Sequence, residues 1–259
     1  KLNGTDSNSG TLSGDSDSTV SLQGSLTNQT ADSKVISNGN LYLAGVTIDG
    51  GVVDASAAGV YVEVTGSSTL KNGTFSLGSG GHLNIDAGQQ LAIDGESSFT
   101  NDGTISINSN QLNYGTSLYF NTDTTINGIG DILLNAGSSY SQFDTASGAT
   151  VTLGAGQTLH GSGNVSAAIV NQGTLSSDVV DGAINFGNYT LENDNVIQAD
   201  NQSTINFNSI HISNSGGQIT ASNQSVIKMN GATVDGGQIA ADANSHIDWS
   251  SGYLTGSVI

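Results

Sequence analysis

The sequence has no cysteine, no proline and no arginine, and it holds a single Met and a single Trp. Without cysteine, a disulfide-stapled scaffold, thiol catalysis and Cys-based zinc sites are all excluded. The only strong cations are Lys1, Lys34, Lys71 and Lys228, against 22 acids, for a formal net charge of −18. Phosphate backbones and anionic lipids are held by clustered Lys and Arg, so the sequence argues against nucleic acid and against a membrane surface as partners. No apolar run approaches the ~20 residues that a bilayer-spanning helix needs, so no membrane insertion is expected. The chain opens at Lys1 and stops at Ile259 inside an apolar alternation. A mature product or a fragment of something longer is expected.

Helices are also missing from the pattern. No segment places apolar residues at i, i+3 and i+4. Nineteen of the 22 acids are Asp, a turn former, and Glu is scarce. What recurs is a short alternating apolar pair followed by a polar turn: Leu83/Ile85, Leu91/Ile93, Ile105/Ile107 and Leu118/Phe120. Such pairs mark short, half-buried strands. The separators are Gly, Asn, Asp and Ser, which turn the chain at little cost. Strand starts are expected at Leu77, Leu83, Leu91, Phe99, Ile105, Leu112, Leu118 and Ile126.

A β-sandwich and a parallel β-helix both use short strands, but only the helix should repeat itself once per coil of three strands. Gly216-Gly217-Gln218-Ile219 recurs one repeat later as Gly236-Gly237-Gln238-Ile239. The stretch from Val196 to Ser203 matches that from Gln218 to Ser225 at a similar step. A distant echo pairs Thr47-Ile48-Asp49-Gly50-Gly51 with Thr233-Val234-Asp235-Gly236-Gly237. The expectation is therefore an all-β, single-stranded parallel β-helix of about 12 coils of roughly 20–22 residues. At one strand spacing per coil the rod should be roughly 55–60 Å long. Missing proline fits, because most strand N–H groups must donate to the next coil. No composition break divides the chain, so residues 1–259 read as one domain. Residues 1–19, with one apolar residue in the first eleven, are expected to be irregular or frayed.

For chemistry the sequence offers little. Lyases acting on polyuronates need cations to hold the substrate carboxylate, and this chain has four scattered Lys. Paired carboxylates could still cleave glycosides if set ~5–9.5 Å apart. Yet most Asp sit in turn contexts, such as Asp49-Gly50, Asp94-Gly95, Asp102-Gly103 and Asp235-Gly236. A non-enzyme without catalytic residues is expected. His82, His160, His211 and His246 form no metal-binding spacing, and His82 and His246 are expected at exposed strand edges. Asp and Asn in turns are hard-cation ligands, which leaves Ca2+ as a candidate ion and Asp15, Asp17, Glu192 and Asp194 as its candidate ligands. No cofactor is required. A flat rank of threonines for ice binding is not supported, since Thr122, Thr124 and Thr125 have Ser106, Asn108, Ser138 and Ser139 as neighbours. The aromatics Tyr42, Tyr61, Tyr114, Tyr119, Tyr140, Tyr189, Tyr253 and Trp249 are scattered, and sugar-binding platforms or core filling are open readings for them.

The run Gln157-Thr158-Leu159-His160-Gly161-Ser162-Gly163-Asn164-Val165, followed by Val170-Asn171-Gln172-Gly173-Thr174-Leu175-Ser176, carries a resemblance. Phe99-Thr100-Asn101-Asp102-Gly103-Thr104-Ile105 repeats its second half. These phrases resemble the repeats in passenger domains of bacterial autotransporters and filamentous-haemagglutinin-like adhesins. The resemblance covers residues 70–259 and its motifs are structural, with no catalytic residue to carry over. It implies a right-handed parallel β-helix, exported and assembled at the bacterial cell surface. The expected function is a structural or adhesive rod segment of a secreted surface protein, with other copies of itself or host and matrix glycans as partners. The alternative is a self-assembling subunit of an extracellular filament, sheath or surface layer. A carbohydrate-binding or carbohydrate-cleaving β-helix stands third.

Overall fold

A computed structural model describes residues 2–109, 115–136, 140–187 and 189–256. The described chain is 30 strands without a helix, and every strand pairing is parallel. Each coil lays down three strands, so three parallel faces run the length of the molecule. Face A carries Tyr61–Gly66, His82–Ile85 and Thr104–Ser109. Face B carries Ser68–Lys71, Gln90–Asp94 and Thr116–Phe120. Face C carries Val52–Ala55, Thr74–Leu77 and Ser98–Asn101. The chain visits them in the order A, B, C.

Registers fix the coil length directly. Along face A, Leu22 pairs with Leu43, Leu43 with Val64, Val64 with Ile85 and Ile85 with Ile107, so the first coils are nearly equal in length. The next two coils, Thr104 to Asp131 and Asp131 to Thr158, are longer, and the following one, Thr158 to Thr174, is much shorter. The result is a solenoid of about 11 turns, one fewer than uniform coils would give. At one strand spacing per turn it is about 50–55 Å long.

The coil from Thr158 to Thr174 is short because Thr158–Ser166 is a single strand that serves faces A and B in turn and the corners after it are minimal, with only Ala167 before the strand Ala168–Asn171 and only Gln172 and Gly173 before Thr174. It bends at Gly161, whose φ is +107° and where a Cβ would stand 2.4 Å from the carbonyl oxygen of Leu134. Only glycine tolerates both conditions.

The sequence repeats have the registers expected of them. Val196 to Ala199 pair with Gln218 to Ala221, and these pair in turn with Gln238 to Ala241. The distant echo has another meaning. Thr47 to Asp49 lie on face B, paired to 69–71, whereas Thr233 to Asp235 lie on face C, paired to 211–213. What the two stretches share is a corner: an Asp followed by two left-handed glycines, φ +84° and +67° in one and +80° and +70° in the other.

Of the expected pairs, Leu83/Ile85, Leu91/Ile93, Ile105/Ile107 and Leu118/Phe120 all point into the core. Leu77 ends its strand, and its inward partner is Phe75. Leu112 lies outside the described residues, as do Tyr114, Ser138, Ser139 and 257–259. The opening segment, expected to be irregular, forms the strands Leu2–Asn8 and Thr11–Gly14. Its low apolar content has a cause: among the described residues these strands pair on one side only and bury little.

One apolar column fills the interior from Leu22 to Ile239. Its composition changes along the axis. In the first half face A supplies large residues, such as Leu43, Val64, Ile85 and Ile107. Further on, the same positions become Gly161, Ser177, Ala199 and Ala221, and face B carries Phe186, Phe207 and Met229 after Phe120 and Phe143 in earlier coils. Phe75 stacks on Phe99 at 4.9 Å between centroids, and Phe186 lies 5.1 Å from Phe207.

Polar side chains also enter the interior at the corners. Asn101 and Asn171, the asparagines of the resemblance phrases, are fully buried where face C turns into face A. Asn171 Nδ2 donates to Asn193 Oδ1, and Asn193 Nδ2 donates to Asn214 Oδ1, each at 2.7 Å. Asn101 exchanges hydrogen bonds with Gln157: Nδ2 donates to its Oε1 at 3.0 Å, and Gln157 Nε2 donates back to the Asn101 carbonyl at 2.7 Å. Gly173 completes the phrase, since a Cβ there would meet the Gln157 carbonyl oxygen at 2.2 Å. The Asn-x-Gly-Thr-Leu phrase is thus a corner: a buried amide that satisfies backbone carbonyls, then a residue with no room for a side chain.

Candidate functional site

Outward positions on a parallel face form columns, because residues in register lie one strand spacing, about 4.8 Å, apart. On face A three successive coils present a grid that differs from the Ser, Thr and Asn surface around it. Asn40 and Tyr42 stand on one strand, Tyr61 and Glu63 on the next, His82 and Asn84 on the third. Tyr61 registers with Asn40 on one side and His82 on the other; Glu63 sits between Tyr42 and Asn84. Asp86 follows just beyond, its N–H donating to the Val64 carbonyl at 3.2 Å.

The grid is internally braced. The Tyr61 and His82 rings lie 6.1 Å apart at a 46° tilt, and Asn84 Nδ2 donates to the Tyr61 hydroxyl. Tyr61 remains 37% exposed, a large aromatic surface facing water. Burial raises the Glu63 carboxyl above its ordinary range, and the charge of Asp86 raises it further. Burial likewise raises Asp86. Two carboxylates and three aromatic rings therefore share one patch, with Lys34, Lys71 and Lys228 on the other two faces.

The histidines expected at exposed edges, His82 and His246, open their strands and are exposed. His246 Nε2 lies 3.6 Å from Asp248 Oδ1, and the other two histidines make closer carboxylate pairs. His160 Nδ1 lies 2.9 Å from Asp178 Oδ2, and His211 Nε2 lies 2.7 Å from Asp235 Oδ2. The hydrogen bond to Asp178 raises His160; burial opposes this, and the charges of Asp178 and Asp131 add to the rise. Asp235 is held low by hydrogen bonds from Thr255 and His211.

The candidate calcium ligands stay in separate pairs. Asp15 and Asp17 lie in an exposed turn whose Asp15 carbonyl accepts from Ser18 N and Oγ at 3.0 and 2.8 Å. Glu192 faces outward between Val170 and Ser213, and Asp194 lies in the turn that follows. Among the described residues no group of three or more His, Cys, Asp or Glu side chains is placed to hold a metal ion. The threonines form no flat rank either: Thr125 registers with Thr152, and the column continues as Val170 and Glu192.

One acid stands apart chemically. Asp144 points outward on face B between Tyr119 and Ser166, and its Oδ1 is buried with no hydrogen-bond partner among the described residues. Burial pushes its carboxyl up to about 7.

In the sequence Tyr42, Tyr61 and His82 stand singly, and nothing in composition groups them. The signal that could have joined them is the coil step itself, since Tyr61 and His82 are in register one turn apart. No family model, curated protein or solved structure matches the chain.

Proposed function

We propose that this chain is a non-catalytic structural and adhesive rod segment of a secreted bacterial cell-surface protein. The observation that supports this reading best is the continuity of the interior: one apolar column runs from Leu22 to Ile239, and in the later coils Asn171, Asn193 and Asn214 add a buried amide ladder beside it. Each coil bonds to its neighbours along three strands, so force along the axis is shared among many backbone hydrogen bonds. The bacterial, extracellular part of the reading draws on the Asn-x-Gly-Thr-Leu phrases. Adhesion is assigned to a side face, where the face A grid stands out.

The test couples the chain to beads and measures their retention under flow on surfaces coated with glycans or matrix protein. Light scattering and a polysaccharide turnover assay run in parallel. Retained beads, a monomer of 26.1 kDa and no turnover are expected. Turnover that disappears in Glu63→Gln would make the chain an enzyme. Fibres in the scattering experiment would make it a filament subunit instead.

A further inference from the structure

The geometry points to a binding site on face A for a short oligosaccharide of free amino sugars, a sugar chain that carries primary ammonium groups. This deepens the rod reading and rests on it, naming the ligand class of its side face.

Three features of the grid carry the inference together. Tyr61, with His82 against it, offers a partly exposed aromatic surface, and the C–H face of a pyranose ring covers such a surface well. Glu63 and Asp86 bring two carboxylates beside the rings, and no lysine of the described chain stands on this face. A ligand that is apolar on one side and cationic at its edge complements both. Its ammonium groups gain carboxylate partners and ring faces at once. Asn84 and Tyr42, flanking Glu63 on either coil, add amide and hydroxyl groups suited to sugar hydroxyls.

The spacing favours a chain over a single sugar. The grid extends over three coils at about 4.8 Å per coil, and its polar and aromatic groups recur at each step. A neutral sugar would leave the two carboxylates without a counter-charge. An acidic sugar would be repelled by them. A lysine peptide meets the carboxylates and has no flat ring to set on Tyr61.

Titration calorimetry of the whole chain with a glucosamine tetrasaccharide tests the proposal. The N-acetylated tetrasaccharide and tetralysine serve as comparison ligands. Binding of the free-amine sugar is expected, weakened about tenfold or more by N-acetylation, by Tyr61→Ala and by Glu63→Gln. Glu192→Gln removes the same charge from face C and should leave the affinity within about twofold. Equal affinity for the N-acetylated sugar overturns the proposal, as does tetralysine binding as tightly with no effect of Tyr61→Ala. The latter result means attraction by net charge alone. No binding of any of the three also overturns it. Far-ultraviolet circular dichroism and the thermal midpoint verify that each variant keeps the fold. If beads are still retained while the sugar does not bind, the ligand assignment falls and the rod reading stands.

Discussion

Asn193 donates its side-chain amide to Asn214 one coil away, at 2.7 Å, while its own oxygen accepts from Asn171 at 2.7 Å. The same Nδ2 also reaches the Asn195 carbonyl at 3.3 Å, and all three side chains are fully buried. A buried amide column of this kind joins coils in one direction only. Each rung donates to the oxygen of the next, and the Asn171 oxygen at the start of the column has no hydrogen-bond partner among the described residues.

That arrangement makes the middle rung the costly one to lose. Asn193→Ala strips the Asn171 amide and the Asn214 oxygen of a partner at once, in a place that water does not reach. A loss of about 2–4 kcal/mol is expected, against about half that for a terminal rung such as Asn214→Ala. Urea unfolding of the two variants beside the parent measures both. Equal losses would mean that the rungs act independently.

Phe99 lies in the interior between Phe75, stacked at 4.9 Å, and Phe120, edge-on at 6.5 Å. Phe99→Ala opens a cavity that neighbouring coils, fixed by their strand pairing, cannot close. A cost of about 3–5 kcal/mol is expected. In a solenoid each coil touches only its neighbours, so the damage should be local. Hydrogen exchange should rise in the strands Thr74–Leu77, Ser98–Asn101 and Thr124–Asn127 and stay unchanged around Phe207. A uniform rise along the whole rod would contradict this.

Much of the fold was legible in the sequence because a solenoid writes its period into the chain. Alternating pairs such as Leu83/Ile85 gave strands, and the Val196 and Gln218 stretches gave a coil step that the register reproduces. The surface pairings were not legible. The coil from Thr158 to Thr174 is far shorter than that from Thr104 to Asp131, so partners in space stand at no constant separation. His160 and Asp178 are 18 apart, whereas His211 and Asp235 are 24 apart. The narrowing of face A from Leu134 to Gly161 and then Ala199 is equally invisible to a periodicity argument, which sees inward positions and not what each must fill.

Asp144 predicts a dependence of stability on pH that runs opposite to that of a paired carboxylate. Its folded-state carboxyl is raised to about 7 from 3.8 by burial. Between those values the folded chain holds the proton more tightly than the unfolded chain, so stability falls as pH rises and levels off above about 7. The full span is worth on the order of 2–4 kcal/mol. Asp144→Asn keeps the shape without the charge. It should unfold at the same urea concentration as the parent near pH 4, and at a clearly higher one at pH 8. A variant no more stable than the parent at pH 8 would mean that the charge is not carried at a cost.

His160 gives a contribution that is lost over a different window. Its imidazole is raised above 6.5, chiefly by the hydrogen bond it makes to Asp178 at 2.9 Å. A raised base stabilises the fold fully below its unfolded pKa and loses that stabilisation as pH climbs through the folded one. Asp178→Asn should therefore cost stability at pH 6 and little at pH 9. The pair is partly open to water, with side chains 25% and 37% exposed, so about 0.5–1 kcal/mol is expected. Denaturation midpoints of parent and variant at the two pH values decide it. A loss in Asp178→Asn that is the same at pH 6 and pH 9 would show that the carboxylate acts without the imidazolium.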